Sequence, residues 1–395
     1  MLSIGATVLF VLATLLVVAG RRGFFKYQIA RSNILRNSES QSKAISEPLP
    51  STWYKSEEVY ELERRAIFTQ KWIRVTHKSR FPENGQFVRY DEAGFNFFLV
   101  RNNDGIIKGF HNICRHRAFP VITKDTGKSR VLSCMYHGWS YGLNGQLAKA
   151  PGYTDMEGFD KSKNGLFPVH VHVDAKGFVW VNMDAKKKPE RAWVDDFAGT
   201  DHLPKHAPFN FDDYKFTDSW TVESTLNWKT LADKYHAAEG FAQGEKGTTI
   251  INDFYFPNAS MTVSPTFFFM VRCVPESAAK TIVTYEVYKH NDATEPDNTL
   301  DQILQRAAEE DKGLNNPTQI HSPTGLFVKE TPLHFQNQVR QLIDRHRKLE
   351  EKAKNEIRPA QQVLPNTATV TEEDEELSKA CSGLACGSMA NELAW

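Results

Sequence analysis

Neither charge is in surplus in this chain: 48 Lys and Arg balance 48 Asp and Glu over 395 residues. Basic residues are not gathered on a recognisable module, so nothing in the composition points to a nucleic-acid partner. Cysteine is scarce, five in all, which excludes a disulfide scaffold and fits a reducing compartment. No Gly-rich dinucleotide motif follows a strand-like run, and no internal repeat is visible. The length leaves room for two domains plus tails.

Two of the five cysteines stand out. Cys114-Arg115-His116 and the later Cys134-Met135-Tyr136-His137-Gly138-Trp139 form two short loops, each a Cys followed closely by a His. Two thiolates on one iron and two neutral imidazoles on the other is the ligand set of a Rieske-type [2Fe–2S] cluster. The assignment is Cys114 and Cys134 to the first iron, His116 and His137 to the second. Structural zinc also accepts Cys₂His₂. Zinc modules, however, pair Cys with Cys and His with His within a half-site, whereas here each half carries one of each. Gly138 suits a tight cluster-binding turn, and Pro120 can stiffen the loop after the first pair. Cys273 lies in an apolar run and reads as a buried thiol. Cys381 and Cys386 lie in a polar tail and take no role.

On these residues the chain resembles the Rieske non-haem iron oxygenases, nearest their choline-monooxygenase-like branch with its fungal relatives. The match is C-R-H-R-A-F-P and C-x-x-H-G-W-x-Y, and the likeness runs from about residue 52 to residue 357. Respiratory Rieske proteins differ: their loops carry an added disulfide and a Ser, where this chain has Ala118, Tyr136 and Trp139. With fewer groups stabilising the reduced cluster, the expected potential lies toward the bottom of the range of about −150 to +300 mV. That suits electrons from a reductase and not from a quinol. The chain lacks both a dinucleotide motif and a plant-type ferredoxin cysteine run, so a separate NAD(P)H-dependent reductase is implied.

The expected fold class is α+β. Leu2 to Gly20 is apolar and uncharged, about the length that spans a bilayer core as a helix. No basic n-region precedes it, against a cleavable signal. Arg21, Arg22, Lys26, Arg31 and Arg36 follow it and hold that flank in the cytosol. The expectation is a single-pass anchor at residues 1–20, foremost in the endoplasmic reticulum membrane, with the body facing the cytosol and residues 21–51 as a linker. The sequon at Asn258 is then only sequence. Residues 52–195 read as an all-β Rieske domain opened by a capped helix at Ser56. Its expected strands lie at Phe87–Tyr90, Phe97–Val100, Val131–Ser133 and Gly177–Asn182. Residues 196–357 read as a second domain. It has strands at Phe216–Val222, Met261–Cys273 (Pro265 marking an edge or bulge) and Thr281–Lys289, and a helix at Leu300–Lys312. A final helix after Pro332 carries an apolar stripe of Phe335, Val339, Leu342 and Ile343; its turns from Arg345 to Glu356 are charged and read as solvated. Residues 358–395 are acidic and read as disordered.

The resemblance implies that this second domain is a helix-grip catalytic-type fold with an antiparallel sheet. Leu226-Asn227-Trp228-Lys229 with Asp233 and Tyr235 matches the family's N-W-K-x₃-D-x-Y opening of the catalytic helix. Glu310-Asp311-Lys312-Gly313-Leu314 is similar to the segment supplying a carboxylate ligand, and Pro332-Leu333-His334-Phe335-Gln336 to a late signature. The family's mononuclear Fe(II) takes two His and one carboxylate. Here the chain departs from the pattern: the acidic bridge falls on Ala237, the first iron His on Gly240 or Phe241, and the second on Glu245 or Lys246. His236 and Glu239, at i and i+3 and so on one helix face, can make a rearranged site with Asp311 and His334; equally, His236 can be a core histidine. Asp233 is expected either to carry electrons across a subunit boundary of a homotrimer or to serve as an ordinary helix aspartate.

Two functions follow. One is an oxygenase, with Asp233 and His236 catalytic, that oxidises a small organic substrate; the anchor favours an apolar one, and Phe267-Phe268-Phe269 is a candidate pocket lining beside its reading as core. The other is a Rieske electron-transfer or partner-binding protein that has lost its second iron. An isomerase or cyclase using the reshaped pocket is a third, weaker fit.

Overall fold

The structure, a computed structural model, describes residues 48–359 except 154–155, 244–248, 294–299 and, within 300–332, all but 300, 301, 303–305, 307 and 309. The apolar run expected to anchor the chain, the 21–47 part of the linker, Asp311 and the acidic tail beyond 359 lie outside the described residues. Among the described residues no helix is long and apolar enough to cross a membrane.

The described chain opens with the expected capped helix, Glu57–Glu63. Ser56 Oγ accepts the Val59 N–H at 3.3 Å, and Glu57 and Glu58 sit in the first turn, where the helix dipole favours them. The helix runs on into a wider turn, Arg64–Phe68, that buries Ala66, Ile67 and Phe68.

The strands of the first domain are β1 (Ile73–His77), β2 (Gln86–Glu92), β3 (Phe95–Arg101), β4 (Ile107–His111), β5 (Thr126–Lys128), β6 (Leu132–Ser133), β7 (Ser140–Tyr141), β8 (Leu147–Lys149), β9 (Pro168–Val173) and β10 (Phe178–Asn182). Seven form one sheet in the order β1-β10-β9-β4-β3-β2-β5, and β6-β7-β8 form a small separate one, all antiparallel. The small sheet carries the second Cys/His loop, and the first follows β4. Both loops pack on one core that includes Phe98, Phe110, Leu132, Trp139, Tyr141 and Leu166.

The second domain adds β11 (Tyr214–Ser224), a helix at Trp228–Ala237, β12 (Gly240–Gln243), β13 (Thr249–Tyr255), β14 (Ala259–Val263), β15 (Phe267–Ser277), β16 (Lys280–His290) and the final helix His334–Ala353. The sheet order is β11-β16-β15-β14-β13-β12, antiparallel throughout. The expected single strand Met261–Cys273 is two central strands joined by a turn at Ser264–Thr266. Pro265 thus marks a hairpin and not an edge, because its missing N–H is tolerated outside the ladder.

Side chains alternate between the sheet's two faces. Phe267, Phe269, Val271 and Cys273 face Leu300, Ile303, Leu304 and Ala307 on one side. Phe268 and Met270 face Trp72, Phe178 and Trp180 of the first domain on the other. The Phe267–Phe269 run is therefore core on both faces and does not line one pocket.

The final helix buries Phe335, Val339 and Ile343 as expected. Its charged turns are not wholly solvated, however. His346 is buried beside Glu350 at 3.1 Å, and Glu350 binds Arg65 at 2.7 and 3.1 Å, because the turn at Arg64–Phe68 packs against this end of the helix.

Candidate metal centre

The two Cys/His loops share one backbone design. In the first, the Ala118 N–H donates to the Cys114 carbonyl at 2.9 Å and the Cys114 N–H to the Phe119 carbonyl at 2.8 Å. In the second, the Gly138 N–H donates to the Cys134 carbonyl at 3.1 Å and the Cys134 N–H to the Trp139 carbonyl at 2.9 Å. The fifth residue of each loop has positive φ, 58° at Ala118 and 71° at Gly138. Glycine takes that conformation without steric cost, whereas alanine is held there by the packing around it.

These turns bring the four side chains together as two like pairs. His116 Nδ1 and His137 Nδ1 are 3.0 Å apart, and both thiols are buried beside one another. The backbone N–H of His116 points at the Cys114 sulfur, and those of Tyr136 and His137 at the Cys134 sulfur. The thiols share a proton: contact with Cys134, then burial, pushes Cys114 up, while the hydrogen bond from Cys114 brings Cys134 down to about 6. Both can ionise together only with a compensating cation between them. Among the described residues no three His, Cys, Asp or Glu side chains are gathered as a single metal ion requires. Thiols on one side and imidazoles on the other fit a two-iron cluster and not one zinc. When bound, that cluster supplies one-electron storage.

Three aromatic residues complete the centre. Trp139 is fully buried and stacks on His116, ring centroids 5.1 Å apart at 8°. Tyr141 accepts the Arg115 N–H at 3.0 Å, so its own hydroxyl proton is aimed at the Cys114 sulfur 3.2 Å away. Tyr153 lies 3.1 Å from His116 Nε2. With Nδ1 facing the centre, Nε2 carries the proton and Tyr153 accepts it. Sequence reasoning assigned no role to either tyrosine. Tyr141 was visible as the last letter of C-x-x-H-G-W-x-Y, but Tyr153 carried no signal.

Opposite shifts in potential are expected from the two. Tyr141→Phe removes a donor to sulfur and lowers the potential; Tyr153→Phe removes an acceptor that makes His116 electron-rich and raises it. A hydrogen bond worth about 0.5–1.5 kcal/mol, at about 59 mV per 1.4 kcal/mol for one electron, sets each shift at tens of millivolts. A redox titration followed by EPR measures both, and shifts of the same sign would overturn the assignment of donor and acceptor.

The second domain gathers its expected residues only in part. Asn227 caps the Trp228–Ala237 helix through the Lys229 N–H at 2.9 Å. Asp233 accepts from Gln336 Nε2 at 3.1 Å, and burial pushes its carboxyl up. His236 packs among Phe254, Phe335 and His334, with centroids at 5.3, 6.2 and 6.2 Å. Its Nδ1 is buried with no hydrogen-bond partner among the described residues, and burial lowers its pKa. Glu239 does not share a helix face with His236 as expected. The helix stops at Ala237, and Glu239 turns toward Lys205, 3.8 Å away. Gly240 and Phe241, where the family's first iron histidine would fall, are drawn into edge strand β12 opposite Asn252 and Ile251. Around His236 no trio of iron ligands is gathered among the described residues.

Comparison with known proteins agrees with this division. A family profile for the Rieske [2Fe-2S] domain matches residues 71–160. The chain is 31% identical over 186 residues to the carnitine monooxygenase oxygenase subunit of Acinetobacter pittii (strain PHEA-2), covering 47% of this chain and 49% of the relative. It is 35% identical over 187 residues to the glycine betaine monooxygenase oxygenase subunit of Chromohalobacter salexigens, covering 47% and 40%. It is 31% identical over 191 residues to the chloroplastic choline monooxygenase of Beta vulgaris, covering 47% and 41%. The chain thus spans about half the length of the curated relatives it matches. The fold likeness reaches further. A solved quaternary ammonium Rieske monooxygenase superposes with TM-score 0.62 at 23% identity, over 75% of this chain and 95% of the other. Naphthalene 1,2-dioxygenase from Rhodococcus sp. gives 0.54 at 19% identity, over 78% and 84%. The chain thus carries a Rieske [2Fe-2S] domain within a two-domain fold similar to that of the Rieske non-haem iron oxygenases.

Proposed function

We propose that the protein is the oxygenase component of a Rieske-type oxidoreductase. Its cluster takes electrons from a separate NAD(P)H-dependent reductase, and its second domain oxidises a small organic molecule with O₂. The convergence of the thiol pair and the imidazole pair beside a helix-and-sheet domain carries this reading. The relatives' names favour a quaternary ammonium substrate over the apolar one expected from the anchor. Such a cation has no N–H to donate and is recognised by aromatic faces. Assembly as a homotrimer and attachment to a membrane through residues 1–20 belong to the same proposal.

A mononuclear Fe(II) needs two His and a carboxylate. The described residues near His236 do not make that set, and Asp311 lies outside them. The second reading, an electron-transfer protein without oxygenase chemistry, follows from the sequence, which has no His at 240, 241, 245 or 246.

Metal analysis separates the two. The oxygenase is expected to hold about three irons per chain and the carrier about two. Reductase-supported O₂ uptake should rise with carnitine, glycine betaine or choline. His236→Ala should abolish that uptake while the visible spectrum of the cluster stays intact. Two irons and substrate-independent O₂ uptake would establish the carrier.

A further inference from the structure

Away from the metal centre, an open cleft of about 390 Å³ lies where the final helix packs on the Arg64–Phe68 turn. Ala66, Leu342 and Leu349 give it apolar lining, and Lys71, Arg191 and Arg345 give it positive charge. Lys71 lies deep, its side chain 16% exposed, whereas Arg345 at 52% and Leu349 at 39% stand toward the mouth.

The charges at this cleft do not balance. Asp196 is shared between Lys71 Nζ, at 3.0 and 3.1 Å, and Arg191 Nε, at 2.9 Å. Glu190 is shared between Arg345 and Lys186, whose Nζ is 2.9 Å away. Two carboxylates therefore serve four cations. Asp184 and Asp195, in the same stretch, accept the backbone N–H groups of Lys186, Glu190 and Ala192 at 2.8–3.0 Å. Among the described residues neither forms an ion pair with those cations. The crowding reaches Lys71: burial, and then Arg191 and Arg345, push its amine down against the pull of Asp196. His346 also lines the cleft, and burial lowers its pKa, so it adds no charge near neutral pH.

Unmatched cations beside an apolar wall select a ligand with a negative head and a hydrocarbon stem. A carboxylate offers a guanidinium two parallel oxygens, the geometry that arginine binds best. A recess, as opposed to a flat basic face, suits a small acid better than a bilayer surface. We propose that this cleft binds a small aliphatic carboxylate, its head group on Arg345 and Arg191 and its stem along Leu342 and Leu349. The site stands apart from the cluster and is independent of any reading of the second domain.

The test is a titration of the full-length holoprotein with hexanoate at low salt, followed by ligand-observed NMR. Saturation with a dissociation constant of about 1 mM is expected for a ligand of this size. Hexan-1-ol and hexyltrimethylammonium carry the same stem without the negative head and should not displace it. Arg345→Gln should weaken hexanoate about tenfold, the worth of one charge-assisted hydrogen bond. Glu190→Gln removes a competing carboxylate and should tighten it, an effect that misfolding cannot imitate. Arg347→Gln, at an exposed arginine of the same helix paired with Asp344, should leave it unchanged. The cluster's visible spectrum should be the same in all three variants. Equal affinity in the Arg345→Gln and Arg347→Gln proteins overturns the proposal. So does displacement of hexanoate by hexan-1-ol, or weaker binding in Glu190→Gln.

Discussion

Cys134→Ser is expected to remove the visible absorption of the cluster and about two irons per chain. A serine oxygen is a poor substitute for a thiolate on iron, being harder and far harder to ionise. The local surroundings sharpen the expectation. The Tyr136 and His137 N–H groups aim at the Cys134 sulfur, and contact with Cys114 brings its pKa down to about 6. Those backbone N–H groups thus prepare Cys134 for ionisation. The change is small in volume, and Phe98, Phe110, Trp139 and Tyr141 supply the bulk of the core that Cys134 shares. The far-ultraviolet circular dichroism should therefore match that of the unaltered protein. Cys273→Ala, at a thiol buried in the second domain's sheet, should keep the colour. Persistence of the absorption in Cys134→Ser, or its loss in Cys273→Ala, would remove the basis of the ligand assignment. Iron left behind in Cys134→Ser would report any metal held elsewhere in the chain.

The four cluster ligands were readable because their chemistry is local. Each loop places a soft and a borderline donor within a few residues, and the turn that aims them is written in Gly138. Tyr153 was not readable, because its hydroxyl reaches His116 across a loop with no periodicity to betray it. The same contrast runs through the fold. β2, β3 and β10 are short apolar runs bounded by turns, and they were expected close to where they lie. β13 carries no such signal, because it is buried on both faces and still holds Asn252 and Asp253. Strands buried on both sides lose the alternation that marks a half-exposed one. Asp253 is accommodated by His206 Nε2 at 2.6 Å and by Lys205, partners whose sequence distance hides them. Glu239 failed as a helix-face partner of His236 because pairing with β13 pulls the chain out of the helix at Ala237. A three-residue spacing implies a shared face only where the helix continues.

The N-W-K opening of the second domain has a structural meaning that leads to the other large effect expected. Lys229 Nζ donates to Glu63 Oε1 at 2.6 Å and to the Trp53 carbonyl at 3.2 Å, and Trp228 Nε1 donates to Glu63 Oε2 at 2.7 Å. Both charged side chains are fully buried. Burial pushes the Glu63 carboxyl up and the Lys229 amine down, so each needs the other to stay charged. Asn227 adds bonds to the Ala278 and Tyr54 carbonyls. These three consecutive residues therefore fasten the segment from Trp53 through the Glu57–Glu63 helix to the helix that carries Asp233 and His236. Lys229→Ala leaves Glu63 buried beside Trp228 without its cation, and a loss of about 3–5 kcal/mol is expected, seen as a lowered unfolding midpoint in denaturant. Glu63→Gln with Lys229→Met removes both charges and keeps most of the volume, so it should recover a large part of that loss. The cluster spectrum should be unchanged in both proteins, because neither residue approaches the metal centre. Equal losses in the single and the double variant would show that packing, and not the ion pair, joins the two helices.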